Sequence, residues 1–282
     1  MEEIPQIRPV QEAEQVKRLL SLKSGRVSNC LWTLSEGMKA AASGRIYELQ
    51  AQNGFAWVRR DPERNEFYFR TREELADTFF CELPAGQDYV AEIMSLCSTD
   101  PKHSAERKVL RGCGFELSEC ARMMTLSVED PPCCSGKGIR HARRADFERI
   151  QRILRDSLDV LTDAIPLGEE LLSHIEKGNI WVREDRETQT AAGFVLLDTE
   201  GRRTWIRHLT VAREQRRKGV ASELLRFVLS DGVLRGGQGA GREFALWVKE
   251  SNMAAARLYE GIGFRYSNRE LGIWTKKALQ RK

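Results

Sequence analysis

The sequence predicts an α/β chain of the α+β type, arranged in two domains. Three observations carry that expectation. Residues 139–276 run through strand-like and helix-like apolar patterns in an ordered alternation. A turn dense in basic residues joins a strand to a helix at 209–221. The first half of the chain echoes the second, down to a Gly-x-Gly-Phe tail after a helical stretch. A length of 282 residues suits two modest domains or one large one.

In the second half, Ile139 to Ala142 reads as a short strand. Ala145 to Leu158 follows as a helix, with Phe147, Ile150, Ile153 and Leu154 on one face. Leu167 to Ile175 continues as a second helix, and strands are expected at Ile180–Arg183, Ala191–Leu197 and Thr204–Val211. After the basic turn, Val220, Leu224, Leu225, Val228 and Leu229 recur at helical spacing. Phe244–Val248 is then a strand, Asn252–Gly261 a helix, and Phe264–Tyr266 with Gly272–Lys276 a closing pair of strands.

The turn, Leu-Thr-Val-Ala-Arg-Glu-Gln-Arg-Arg-Lys-Gly-Val-Ala, is the most informative stretch. A helix start carries unpaired N–H groups and partial positive charge, which suits it to gripping phosphate. Gly219 allows close approach to the backbone, and Arg216, Arg217 and Lys218 add charge around it. The charge run by itself fits a solvated basic turn equally well. Placement of Arg216-x-x-Gly219-x-Ala221 between a strand and a helix favours the phosphate reading.

That pattern, after Leu209-x-Val211, resembles the pyrophosphate-binding motif of the GNAT superfamily of acetyl-CoA-dependent N-acetyltransferases. Downstream, Asn252-x-x-Ala255-x-x-Leu258-Tyr259-Glu260-x-x-Gly263-Phe264 resembles the family's next motif. The resemblance implies a GNAT fold, with a mixed, mostly antiparallel, twisted sheet flanked by helices. It implies that Leu209, Thr210 and Val211 pair with the pantetheine arm of acetyl-CoA. The pyrophosphate would lie over the N–H groups from Arg217 through Lys218, Gly219 and Val220 to Ala221, with Arg216 and Arg217 as charged neighbours. Asn252 is a good N-cap by type, and the resemblance adds a cofactor contact. The strand bulge that the family uses to splay its fourth and fifth strands cannot be read from these residues.

Arg111-Gly112-Cys113-Gly114-Phe115 mirrors Glu260-Gly261-Ile262-Gly263-Phe264. Ile7-Arg8, Glu12-Ala13 and the Val16/Leu19/Leu20 face mirror Ile139-Arg140, Ala145 and the Ile150/Ile153/Leu154 face. Phe55–Arg59 and Glu66–Arg70 read as a hairpin around Asp61–Asn65. The first half is 17 residues shorter between its first strand and its Gly-Phe tail, and the deficit falls where the basic turn and its helix belong. Aligning the tails sets Leu110 opposite Tyr259 and His103 opposite Asn252. Residues 1–130 are therefore expected to be a degenerate GNAT-like copy, shaping the acceptor cleft or mediating assembly. Residues 131–138 would be a linker and 139–282 the acetyl-CoA-binding domain. Two prolines and two glycines in 129–138 oppose both helix and strand.

Composition narrows the function classes. Apolar residues make up 41% and charged residues 30%, ordinary for a globular chain. No apolar run approaches the ~20 residues that span a bilayer, and the start of the chain lacks a signal-peptide core. A cytoplasmic location without membrane association is the expectation. A net charge of +4, from 45 basic and 41 acidic residues, gives little reason to expect nucleic acid. The local excess around Arg202, Arg203, Arg207, Arg213 and the turn is most simply used on a polyanionic cofactor. The cysteines Cys30, Cys81, Cys97, Cys113, Cys120, Cys133 and Cys134 show no zinc spacing, and no metal is expected.

For the chemistry, Tyr259 is the candidate general acid, since a phenol of pKa ~10 stays protonated at neutral pH. A core tyrosine on an amphipathic helix is the bland alternative. The strand Thr204–Val211 holds no carboxylate where many relatives place a glutamate. His208 is therefore the candidate base, and simple alternation puts it on one face with Ile206 and Thr210. A structural histidine, or a water chain in place of any base, stands beside that reading. Asp159 and Asp163 are candidates to bind a cationic amine.

The expected activity is acetyl transfer from acetyl-CoA to a primary amine by direct attack in a ternary complex. A small molecule is favoured over a protein N-terminus or lysine, because a second domain over the cleft would restrict access. A longer acyl donor, a non-catalytic acyl-CoA-binding protein, and a scaffold binding no CoA are the competing readings. The chain is expected to be a monomer or a homodimer.

Overall fold

In the computed structural model the described residues are 7–20, 26–30, 34–61, 63–96, 105–128, 136–200, 203–235 and 242–278. They divide into two compact units. One is Met1–Ala121 with Asn268–Lys282, and the other is Arg122–Ser267. This division differs from the one expected at 1–130 and 139–282 because two long strands each serve both units. Core placement gives the reason. Met124 and Val128, upstream of the expected linker, sit in the second unit's core, and Trp274, near the end of the chain, sits in the first unit's core. Residues 131–135 of the expected linker, together with His103, Cys97, Cys133 and Cys134, lie outside the described residues.

The first unit runs β1 (Ile7–Pro9), α1 (Ala13–Leu20), β2 (Arg26–Ser28), α2 (Leu34–Ala42), β3 (Ile46–Leu49), β4 (Ala51–Gln52), β5 (Gly54–Arg60) and β6 (Asn65–Arg72). A 3-10 turn at Glu73–Thr78 leads to β7 (Phe80–Cys81), β8 (Tyr89–Leu96), α3 (Ala105–Gly112) and β9 (Glu116–Val128). Its strands lie in the order β1-β3-β5-β6-β8. The expected hairpin is present, with β5 and β6 paired antiparallel from Gly54↔Thr71 to Arg60↔Asn65. Phe67, Phe69, Phe79, Leu110 and Phe115 pack with Trp274 in one core, while Val16 and Leu19 of α1 pack with Ile46 and Trp57 in another. Helix α2 and strand β3 had no counterpart in the sequence reading. Cys30, Cys81 and Cys113 are buried and pack as small apolar side chains.

The second unit opens with β10 (Ile139–His141), a 3-10 turn at Arg144–Asp146, α4 (Phe147–Ser157) and α5 (Glu169–Glu176). It continues with β11 (Ile180–Glu184), β12 (Ala191–Glu200), β13 (Arg203–Val211), a 3-10 turn at Arg213–Gln215 and α6 (Val220–Arg235). β14 (Arg242–Lys249), α7 (Met253–Ile262) and β15 (Arg265–Lys276) complete the chain. Strand order is β14-β13-β12-β11-β10. Pairing is antiparallel from β10 to β13 and parallel between β13 and β14.

The apolar spacing of the helices is matched by what they bury. Ile150, Ile153 and Leu154 of α4, with Leu171 and Ile175 of α5, cover Phe194 and Leu196 on one face of the sheet. Leu224, Leu225, Val228 and Leu229 of α6, with Tyr259 of α7, cover Val195, Ile206 and Phe244 on the other. The α4 and α6 positions are the ones that recur at 3.6-residue spacing in the sequence.

The closing pair of strands is instead one strand. The polar run Ser267-Asn268-Arg269-Glu270 reads as a turn, but Arg269 to Lys276 pair antiparallel with Leu96 to Tyr89 of β8. Ladder hydrogen bonds outweigh the local turn preference of such a segment. This pairing is how the end of the chain joins the first unit.

The internal echo is repeated in the hydrogen bonding. Phe115 donates its N–H to the Leu110 carbonyl at 2.9 Å, and Phe264 donates its N–H to the Tyr259 carbonyl at 3.0 Å. Gly114 and Gly263 adopt φ values of +83° and +115°, the left-handed conformation that ends a helix most cheaply with glycine. Each unit also holds a parallel pair among its described residues, β6 with β8 and β13 with β14. Between the members of the pair the second unit has the basic turn and α6, whereas the first has a 3-10 turn and the two-residue β7. Between the paired strands 16 residues lie in the first unit and 30 in the second, so 14 of the 17 missing residues fall there.

Candidate active site

The site is built where β13 leaves β14. Their parallel pairing runs from Arg203↔Glu243 to Trp205↔Ala245 and ends there. On its other side β13 is continuous with β12, but the register steps from Leu197↔Ile206 to Leu196↔His208, so Arg207 is bulged out. The bulge corrects the simple alternation. Cross-strand partners share a face, and Leu196 and Leu197 face opposite ways, so His208 and Ile206 do too. Ile206 joins Leu209 and Val211 on the α6 face, while His208 and Thr210 lie on the α4–α5 face.

Ladder geometry then fixes where the backbone points. Ala212 donates its N–H to the Ala192 carbonyl at 2.9 Å. In an antiparallel ladder bonded pairs alternate, so Thr210 also bonds towards β12. The N–H and C=O groups of Leu209 and Val211 point the other way, along the edge that β14 has left. Gly193, opposite Val211, makes the packing possible. A Cβ there would lie 2.9 Å from the Thr210 carbonyl oxygen and 3.0 Å from a Val220 methyl. A glycine inside an apolar strand pattern is the sequence signal for such close approach.

Beyond the 3-10 turn the chain enters α6 through two left-handed residues, Arg217 at φ +67° and Gly219 at φ +84°. A non-glycine residue in this region costs roughly 1–2 kcal/mol and clusters at functional turns. Among the described residues, the N–H groups from Arg217 to Ser222 have no protein acceptor, and the first helical N–H bond is Glu223 to the Gly219 carbonyl at 2.9 Å. These donors sit at the positive end of α6, an arrangement that favours negative charge. Val220 is buried, while Arg217, Lys218 and Gly219 are exposed and Ala221 is half-buried.

The charged side chains divide their roles. Arg216 turns back, donating from Nε to the Val211 carbonyl at 3.2 Å and from a terminal nitrogen to Ser157 Oγ at 2.9 Å. Lys218 donates to Gln215 at 3.2 Å. Two members of the basic excess are spent elsewhere. Arg203, at the far end of β13, binds both oxygens of Glu243 at 2.8 and 2.9 Å. Arg207 lies 3.7 Å from Asp198. The expected assignment of these two arginines to a polyanion is thereby corrected, and Arg202 lies outside the described residues.

Asn252 is the N-cap of α7, its side-chain oxygen accepting from Ala255 N at 3.1 Å. Tyr259 is 7% exposed and meets Phe264 edge-on, with ring centroids 5.7 Å apart. Burial pushes its phenol up to about 12, so it stays protonated across the neutral range.

His208 donates from Nε2 to the Ala164 carbonyl at 3.0 Å, because a carbonyl can only accept. Burial, reinforced by the Arg207 charge, pushes the ring down to about 4. It is neutral at pH 7 and a weak base. This weakens the expected role in proton abstraction and makes the ring a tether for the loop between α4 and α5.

The two aspartates of that loop are committed to the protein, which corrects their expected role. Asp159 Oδ1 accepts from the Leu161 and Thr162 N–H groups at 3.0 and 2.8 Å and from the Thr162 hydroxyl at 3.1 Å. Burial alone would raise its pKa, but these hydrogen bonds hold it below the usual range. Asp163 accepts from Asp159 N at 2.9 Å and pairs with Lys249 at 2.8 Å. Lys249 also donates to the Thr162 hydroxyl at 2.9 Å. Lys249 and Ser157 carry no motif, and nothing local in the sequence marks them.

Among the described residues, no group of three or more His, Cys, Asp or Glu side chains is placed to hold a metal, and no helix is long and apolar enough to cross a membrane.

In this α/β domain a splayed strand edge runs into a helix start lined with N–H donors. Residues 143–264 match the family described as Acetyltransferase (GNAT) family. This domain belongs to the GNAT acetyltransferases, and the chain that carries it is an acyltransferase. Solved structures share the fold. A GCN5-related N-acetyltransferase from Sphaerobacter thermophilus is 15% identical, with 100% of this chain and 99% of that chain covered and a TM-score of 0.61. A Drosophila protein is 16% identical over 82% of this chain and 78% of its own, with a TM-score of 0.52. A tandem GNAT protein from the clavulanic acid biosynthesis pathway is 11% identical over 96% of this chain and 88% of its own, with a TM-score of 0.50. At these identities the likeness is one of fold. No curated protein matches the sequence significantly.

Proposed function

We propose that the chain transfers an acetyl group from acetyl-CoA to a primary amine, by direct attack of the amine on the thioester in a ternary complex. The observation that carries this reading is the run of unpaired N–H groups from Arg217 to Ser222 beside the Leu209–Val211 edge that β14 has left. The pyrophosphate suits the first and the amides of the pantetheine arm suit the second. Leu209, Thr210, Val211, Arg217, Lys218, Gly219, Val220 and Ala221 are the proposed cofactor residues. Arg216 acts by holding the strand end, and Asn252 by capping α7.

The acyltransfer balances without a metal. The amine nitrogen bonds to the thioester carbon, the C–S bond breaks, one nitrogen proton passes to solvent, and the departing thiolate is reprotonated from solvent. Tyr259, protonated with a pKa near 12, donates a hydrogen bond to the developing thiolate. The amine loses its proton to solvent, since His208, near 4, is too weak a base to take it. Small-molecule amines are the first acceptors to try, ahead of peptide N-termini and lysine.

A thiol-release assay over a panel of amines, run beside calorimetry with acetyl-CoA, tests this reading. Turnover on at least one amine, with micromolar to millimolar binding, is expected. Tight binding without turnover on any acceptor, together with no effect of Tyr259→Phe, would establish a non-catalytic acyl-CoA-binding protein instead.

A further inference from the structure

The first unit has its own splayed strand, and that splay is not open. The parallel pairing of β6 with β8 covers Asn65↔Tyr89 and Glu66↔Val90 and then ends, as β13 parts from β14 after Trp205. Both strands also run into a 3-10 turn that begins two residues past a matched pair of positions, Thr71 in β6 and Val211 in β13. The edge of β6 from Phe67 to Arg72 therefore corresponds to the edge of β13 that ends at Val211.

Strand β2 lies on that edge. It pairs antiparallel with β6 through Arg26↔Arg72, Val27↔Thr71 and Ser28↔Arg70. Asn29 extends the contact with its side chain, donating to the Phe67 carbonyl at 2.8 Å and accepting from Phe69 N at 2.9 Å. Ser28 Oγ donates to the Phe69 carbonyl at 2.7 Å. Asn29 thus supplies a primary amide that bonds a strand edge through both its N–H and its C=O. Val27, 4% exposed, is part of the core around Phe67 and Phe69.

We propose that residues 26–29 stand in the first unit where the pantetheine arm of an acyl-CoA would lie in the second, so that the chain fills one of its two slots with itself. The inference rests on the reading of Leu209–Val211 given above. It makes the first unit closed to acyl-CoA by occupancy as well as by loss of the phosphate turn. Reopening the slot would cost the whole β2 ladder, with nothing at Glu73–Thr78 to grip the phosphates in exchange.

Native mass spectrometry and amide hydrogen exchange on the full chain, with and without saturating acetyl-CoA, test the proposal. One acetyl-CoA per chain is expected. Amides at 209–222 should slow on binding, while those at 26–29 and 69–72 should be slow from the start and unchanged. A second equivalent bound, or loss of protection at 26–29 on adding acetyl-CoA, would overturn it. Fast exchange at 26–29 in the free protein would overturn it as well. If no acetyl-CoA binds and 209–222 do not respond, the reading of the second unit fails. Protected 26–29 amides would still support the self-filled edge.

Discussion

Lys249 Nζ lies 2.8 Å from Asp163 Oδ1, tying the loop between α4 and α5 to the end of β14. The same loop is tied to β13 by the His208–Ala164 hydrogen bond. One short segment is thus fastened to both strands that part at the candidate site. Both Lys249 and Asp163 are about four-fifths buried, with side-chain exposures of 21% and 20%.

Removing one partner of this pair leaves the other charge stranded. Lys249→Met is expected to lower stability by about 1–3 kcal/mol. Asp163→Asn should cost a similar amount, and the double variant less than the two together. Thermal denaturation of all four proteins measures the coupling. Strict additivity would show that the contact contributes nothing.

Tyr259→Phe removes one oxygen from a well-packed helix and should leave folding nearly intact. Loss of a hydrogen bond made only as the thiolate departs predicts a fall in kcat of about 10²-fold, with acetyl-CoA affinity unchanged. Stopped-time thiol release and calorimetry separate the two quantities. Equal losses in both would reassign the phenol to binding.

The two shifted side chains predict opposite limbs of the stability profile. His208 titrates near 4 in the folded chain against an ordinary 6.5, so folding favours its neutral form. Its contribution is whole above pH 6.5 and is lost as pH falls through 4. Tyr259 titrates near 12 against 10, so its contribution is whole below pH 10 and is lost as pH rises through 12. Denaturant midpoints across pH should flatten in His208→Gln on the acid side only, and in Tyr259→Phe on the alkaline side only.

At the basic turn, stability and binding should move apart. Arg217 holds a left-handed φ of +67°, so Arg217→Gly removes strain and should leave the fold unchanged to about 1 kcal/mol more stable. The same change deletes a charge next to the phosphates and should weaken acetyl-CoA severalfold, with a shallower salt dependence. Gly219→Ala has room for its methyl group but must hold φ +84°, and is expected to lose stability and affinity alike by about 1–2 kcal/mol. Melting curves with and without ligand read both effects.

Helices and strands of the second unit were legible because each buries a periodic stripe, as Ile150, Ile153 and Leu154 do in α4. Gly219, Asn252 and Gly263 were legible because each has a local backbone task. What escaped was set by contacts distant in sequence. The bulge at Arg207 depends on the register with β12, and it reversed the face predicted for Ile206 relative to His208. Lys249 and Asp163 are 86 residues apart, and no pattern joins them. The polar run at 267–270 gives no sign that β8 will pair with the strand continuing through it.

The sharing of long strands has a consequence for synthesis. Trp274, 1% exposed in the first unit's core, belongs to a strand that follows the second unit's other elements in the sequence. The unit translated first therefore cannot complete its core until the other unit has been synthesised. A chain stopped just after Ser267 would lose its final strand in the half that was made earliest.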